Sequence, residues 1–278
     1  MTPQAADASR QFVRRFSRYD RASHVALMVS FLGLAATGMP LLFSSEAWAG
    51  TMARMLGGFR TAGLIHRGLA LLLIAVFAAH LGKLAYRFFA QRDRSMLWGP
   101  TSMVPQPRDL TEMLQHFQYF LGKAPRPAFD HFTYWEKFDY WAVFWGMFII
   151  GGSGLLLWFP TFFAQVVPGW LFNIALLVHG EEALLAVGFI FTVHFFNGHL
   201  RPEKFPMDLV IFTGLHPTHE LHEERAGELE RLSAHGTLDR VLAPEPKPVV
   251  KVIGALIGTT AVIIGLSLVG LILYAVLA

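Results

Sequence analysis

The chain contains no cysteine. That excludes disulfides, cysteine-ligated iron–sulfur clusters and covalent c-type haem attachment, so any such centre would belong to a partner. Charge is scarce too: 15% of the 278 residues are charged, against a hydrophobic share of 54%. An ordinary soluble domain carries about 25% charged residues. No low-complexity tract and no repeat of fixed period is present, which argues against a solenoid.

The uncharged stretches are long. Ser23–Phe43, Tyr140–Gly180 and Val252–Ala278 hold no Asp, Glu, Lys or Arg, and Gly68–Gly82 extends to a full span if Arg67 and Lys83 snorkel at its ends. A spanning helix needs about 20 apolar residues, so Tyr140–Gly180 must be two. Pro160 and Pro168 break it, leaving one helix before Pro160 and another from about Trp170 to Asn197. Five spans result. The first apolar run is too long for a cleavable signal peptide and lacks a small-residue cleavage site.

Basic residues set the expected orientation. Arg10, Arg14, Arg15, Arg18 and Arg21 precede the first span. Arg87, Arg92, Arg94, Arg108, Lys123, Arg126 and Lys137 fill the second connection, and Arg201, Lys204, Arg225, Arg231, Arg240, Lys247 and Lys251 the last. The other two loops hold only Arg54 and Arg60. The positive-inside rule then places the N-terminus in the cytoplasm and the C-terminus on the far side. The formal charge of +3 reports topology and lipid contact rather than nucleic acid.

Of twelve histidines, six lie in or at the ends of the first four spans: His24, His66, His80, His179, His194 and His199. Ionisable residues in a membrane are costly and usually functional. His80 follows His66 by 14 residues, about 21 Å along a helix and nearly on the same face. His194 follows His179 by 15 residues, about 22 Å. Two helices thus present histidines in two tiers of matching separation. That is the arrangement of bis-histidine haem, with one imidazole on each face of the porphyrin. A metal-transport site would normally add carboxylates at the same depth. Small residues nearby (Gly33, Gly38, Gly68, Gly146, Gly151, Gly152, Gly154) allow close packing against a planar cofactor or a neighbouring helix.

In the order and spacing of RYDRASHVALMVSFLGLAATGMPLLF around His24, LIHRGLALLLIAV around His66, SGLLLWFP, and LLVHGEEALLAVGFIFTVH containing His179 and His194, the chain resembles a known family. This is the cytochrome b (gamma) subunit of membrane-bound formate dehydrogenases, shared with the b-type cytochromes of nickel–iron hydrogenases. The likeness covers roughly Arg18 to Pro202. It implies an outer haem held by His66 and His179, an inner haem held by His24 and His194, and a quinone site beside the inner haem. Depth alone instead pairs His80 with His194. The interval from His179 to His194 is one residue longer than the family pattern, His80 and His199 are additional, and the family's quinone-contacting residues do not map cleanly onto YWEKFDYW. On a regular helix His194 and His199 are about 140° apart and face different neighbours. With His24 and His80 they would make two pairs, so two and three haems b both remain open.

Other polar residues belong to the same expectation. Glu181 and Glu182 follow His179 and would orient a ligand, meet a propionate's counter-charge or move protons; a wet helix face is the plainer reading. Arg67 suits a propionate, Glu181 or snorkelling, and Arg201 and Lys204 suit propionates or lipid phosphates. Glu136 and Asp139 lie in the loop expected near the quinone. His216, His219 and His222 imitate a metal site by spacing, against which stands a solvated polar loop. THELHEERAGELERL predicts an amphipathic surface helix within Thr218–Leu242, APEPKP stiffens the approach to the fifth span, and Gly254 and Gly258 form a GxxxG for helix packing.

The expected fold is an all-α integral membrane protein: a basic N-terminal arm (1–22), a four-helix haem-binding bundle (23–202), a cytoplasmic connection with an amphipathic helix (203–248) and a fifth transmembrane helix (249–278). The expected role is a subunit of a respiratory oxidoreductase in a bacterial inner membrane. It would carry electrons between a quinone and an outer-side redox partner (a dehydrogenase, iron–sulfur or c-type cytochrome protein) rather than act as a complete enzyme. The alternatives are a ferric or b561-like reductase and a histidine-lined proton-coupled or metal transporter.

Overall fold

A computed structural model describes residues 12–277, so Arg10 lies outside the described residues. The protein is all-α with a small sheet. Among the described residues five helices are long and apolar enough to cross a membrane: Arg18–Leu42, Phe59–Ala90, Tyr134–Trp158, Trp170–Leu200 and Pro248–Leu277, numbered here as the first to fifth spans. The third ends where expected. Phe159 leaves helical geometry (φ −118°, ψ 55°) and Pro160, which has no N–H to continue the ladder, opens a separate short turn.

The chain divides into two compact units. The first comprises Ala22–His80, Val143–Asp208 and Ile253–Ala278. Its core joins Ala35 and Met39 of the first span, Val187, Phe191 and Phe195 of the fourth, and Leu268 and Ile272 of the fifth. On the fifth span Gly254, Gly258, Ala261, Gly265, Leu268 and Ile272 are buried, a seam of three- and four-residue steps along one face. A Cβ on Gly265 would stand 2.7 Å from the rings of Phe191 and Phe195, so the absence of a side chain lets these helices touch. The GxxxG therefore continues into an intramolecular seam. Large apolar side chains such as Leu71, Phe148, Leu176, Leu177 and Ile263 lie exposed on the spans. Water would penalise that surface by about 25 cal/mol per Å², whereas lipid does not; this is a multi-pass membrane protein.

The second unit comprises Leu81–Ala142, Leu209–Val252 and the residues up to Arg21. Here the basic arm differs from expectation: Phe12–Arg14 forms β1, the central strand of an antiparallel sheet with β2 (Leu215–Pro217) and β3 (Leu242–Ala243). Val13 is buried and pairs with both His216 and Leu242. Arg15 is buried beside it and donates to Glu136 and Glu228, each at 3.2 Å. Buried cations survive when paired in this way.

The single amphipathic helix expected after Thr218 is two, Thr218–Glu224 and Ala226–Ala234, broken at Arg225 (φ −142°, ψ 51°). The break lets the Arg225 guanidinium reach the carbonyls of Asp130 and His131 and the Glu136 carboxylate at 2.8 Å. It also brings Gly227 against the Ala128 carbonyl, 2.6 Å from where a Cβ would stand. These helices pack on their own unit instead of presenting one continuous apolar stripe. The proline-rich loop contains a further helix, Pro107–Phe120, started by the Asp109 carboxylate accepting from the Gln106 N–H. Lys137, almost wholly buried, donates to both Asp109 oxygens at 2.8 and 2.9 Å.

Candidate functional site

His66 on the second span and His179 on the fourth face each other with ring centroids 6.3 Å apart and planes crossed at 76°. Two imidazoles bound through nitrogen to one metal at about 2.0–2.1 Å, each with its centroid about 1.1 Å behind that nitrogen, would stand about 6.3 Å apart. The spacing is that of two imidazoles sharing an ion, and it also lies within the range of an edge-to-face ring contact.

The outward nitrogen of each ring is fixed. His66 Nδ1 lies 2.9 Å from Thr37 Oγ1, whose own proton goes to the Gly33 carbonyl at 2.7 Å. The hydroxyl therefore accepts, and His66 carries its proton on Nδ1. His179 Nδ1 donates to the Ile150 carbonyl at 2.9 Å. That carbonyl is in a π-helical turn, Met147–Gly151, where i→i+5 bonding displaces the regular ladder. In both neutral rings the lone pair is thus on Nε2, which is how metal-bound histidines are usually oriented by their outer partners. Two glycines allow the rings to sit this close. A Cβ at Gly38 would meet His66 Cε1 at 3.0 Å, and one at Gly154 would meet His179 Cε1 at 2.9 Å. At Gly68 and Gly152 a Cβ meets nothing within 4 Å, so the sequence-level grouping of small residues splits into those that seat a histidine and those that do not.

The second tier lies further along the same helices. Thr37 and His24 are 13 residues apart on the first span, about 20 Å, and His179 and His194 about 22 Å apart on the fourth. His24 lies in the same region of the bundle as His194 and His199. The regular-helix angle of about 140° between His194 and His199 does not carry over directly, because the helix is not regular here. Ile190–His194 and Phe196–Leu200 are π-helical, and i→i+5 bonding changes the angular spacing of residues five apart from that of a regular helix. A π turn also accommodates one extra residue in a helix, which matches the long interval from His179 to His194. The Nδ1 atoms of His24 and His199 are buried with no hydrogen-bond partner among the described residues. A buried nitrogen left so is costly unless something binds it. His80 sits edge-on to Phe144 at 6.3 Å, with Phe77 5.1 Å from the same ring.

The donor set of the first tier fits haem iron: two neutral imidazoles with matched tautomers, on separate helices, with no thiolate and no carboxylate between them. His66 and His179 would be its axial ligands. The remaining polar candidates occupy other settings. Arg67 is exposed and stacks over Trp158 at 5.6 Å; it makes no ion pair with Glu181, itself exposed. Glu182 accepts from Trp145 Nε1 at 3.1 Å. Arg201 follows the last π turn, its N–H returning to Phe196 O. Glu136, expected near a quinone, has one oxygen on Arg15 and Arg225 and the other on the Thr133 N–H and hydroxyl.

Of the spaced trio His216, His219 and His222, only His216 is buried; the other two are exposed on Thr218–Glu224 and lie away from it. Sequence reasoning missed Thr37, Ser153 (3.3 Å from His179 Nδ1) and the Ile150 carbonyl. The one readable signal was a hydroxyl residue in an otherwise apolar run near a glycine. The chain matches no protein-family model and no curated protein.

Proposed function

We propose that this protein is a membrane-embedded b-type cytochrome that passes electrons between a quinone and a partner redox subunit. The supporting observation is the His66/His179 pair: its separation, its two fixed tautomers and the glycines that seat it. When bound, haem supplies a one-electron couple within the lipid-facing bundle.

The chain's own residues do the rest. Thr37 and the Ile150 carbonyl hold the Nδ1 protons, aim both Nε2 atoms inward and raise their basicity. His24 and the fourth-span histidines His194 and His199 would hold a second haem and leave one imidazole over. The spare imidazole would take a proton from a quinol. Haems held at these two histidine levels, about 20 Å apart along the helices, would divide the bilayer into short electron-transfer steps.

In this reading the chain resembles the formate dehydrogenase and hydrogenase cytochromes, sits in a bacterial inner membrane with its N-terminus in the cytoplasm, and docks its partner outside near His66 and His179. In the assembled complex, haem reduction by the partner and quinone turnover are measured separately. His24→Ala and His194→Ala abolish quinone-linked turnover and leave reduction of the outer haem intact. Normal quinone turnover in both variants, or a quinone found at the outer haem, contradicts the polarity.

A further inference from the structure

His216 is in β2, just ahead of the helix Thr218–Glu224, and Glu220 and Glu224 follow at four-residue steps that return to the same helical face. One ligand atom from each of the three lies within 4.8 Å of the others. His216 is 3% exposed and Glu224 8%, while Glu220 is half-buried and leaves one side of the cluster open.

The imidazole is oriented. Nδ1 lies 3.0 Å from the Pro217 carbonyl, which can only accept, so Nδ1 carries a proton and the neutral ring has its lone pair on Nε2. Nε2 then confronts Glu224 Oε2 at 3.5 Å. That exceeds the 2.7–3.2 Å or so of a good N–H···O bond. It is close to the ligand-to-ligand edge of a metal site, because two atoms about 2.0–2.1 Å from a tetrahedral ion stand about 3.3–3.4 Å apart. A lone pair facing a carboxylate oxygen at this separation leaves a place for a cation between them.

We infer that His216, Glu220 and Glu224 form a binding site for a divalent transition-metal ion, zinc or a neighbour such as cobalt. One imidazole nitrogen and two carboxylate oxygens suit such an ion. An imidazole is a poor ligand for magnesium or calcium, and the absence of sulfur disfavours copper(I). Three protein ligands leave one position for water on the Glu220 side. Because His216 pairs across the sheet with Val13 of β1, the ion would tie the N-terminal strand to the connection before the fifth span. The site is separate from the transmembrane histidines and does not depend on their binding haem.

The test uses the full chain, without a histidine tag, purified in detergent, stripped with a chelator and titrated with Co²⁺ alone. Metal analysis counts cobalt and zinc apart from iron. A single equivalent of Co²⁺ with visible d–d absorption, displaced by Zn²⁺, is expected. Glu220→Gln and Glu224→Gln lose that uptake, and His219→Ala combined with His222→Ala keeps it. Uptake by the wild type no greater than by Glu220→Gln overturns the site. So does loss of uptake in the His219/His222 double variant, which would put the metal on surface histidines. Since Glu220 is half-exposed, its variant remains decisive if substitution at a buried ligand prevents folding.

Discussion

Replacing Gly154 by alanine tests whether the His66/His179 site is as closely fitted as its geometry implies. The added methyl would lie 2.9 Å from His179 Cε1 and 3.3 Å from Nδ1. Carbon contacts are comfortable at about 3.5–4.0 Å, so the ring must retreat by about 0.6 Å or more. The Ile150 carbonyl, 2.9 Å from Nδ1, holds it from behind. Liganding constellations tolerate displacements of about 0.5 Å, and disturbing the outer support of a ligand costs about 10–100-fold in metal affinity. That is about 1.4–2.8 kcal/mol. Gly152→Ala is the matched control two residues away, where a methyl meets nothing within 4 Å. An alanine there should favour the helix by about 0.5–1 kcal/mol. Haem per chain is measured by the pyridine haemochrome method on detergent-purified protein. Gly154→Ala loses most of one haem and Gly152→Ala none. Full haem in Gly154→Ala, or equal loss in both, refutes the reasoning.

Thr37→Val removes the acceptor for His66 Nδ1 while keeping the shape, so that haem becomes easier to lose and its reduction potential shifts; an unchanged potential and haem content would show that the hydroxyl does not orient the ring. In the other unit, burial pushes the Glu228 carboxyl up, but the hydrogen bond with His131 and the charges of His131, Arg15 and Arg225 outweigh it and hold it at about 2. Its folded value lies below the ordinary 4.5, so its stabilisation is complete above that pH and is lost as pH falls from there towards about 2. Glu228→Gln should flatten the thermal-stability profile in that window, and an unaltered profile would contradict this. Lys137→Met strands the buried Asp109 carboxylate, although its bond to the Gln106 N–H remains. A loss of about 3–5 kcal/mol is expected by denaturant unfolding, and a loss below 1 kcal/mol or so would mean that water reaches the pair.

What the sequence disclosed follows from the range of the forces involved. Long charge-free runs and two prolines place the five spans because membrane insertion depends on local composition. The pairing of His66 with His179 was legible because a helix converts residue spacing into depth. The two π turns around His194 and His199 were not, since a regular 100° step gives no sign of them. Three-residue strands carry no usable periodicity, so β1 was read only as part of the basic N-terminal arm. The break at Arg225 was hidden for a related reason: THELHEERAGELERL has good helical spacing. What interrupts it is the demand of distant carbonyls near Asp130 for a guanidinium. Likewise Glu136 read as a loop carboxylate open to a quinone until its cationic partners, remote in the chain, were in view.

The most direct measurement is the dithionite-reduced-minus-oxidised spectrum, with haem per chain, of the wild type, His66→Ala, His179→Ala and the double variant. The account predicts a b-type α-band in the wild type. It predicts loss of the same single haem in each single variant and no further loss in the double, because both residues serve one iron. Absence of any b-type band, or full haem retained in both single variants, would contradict it.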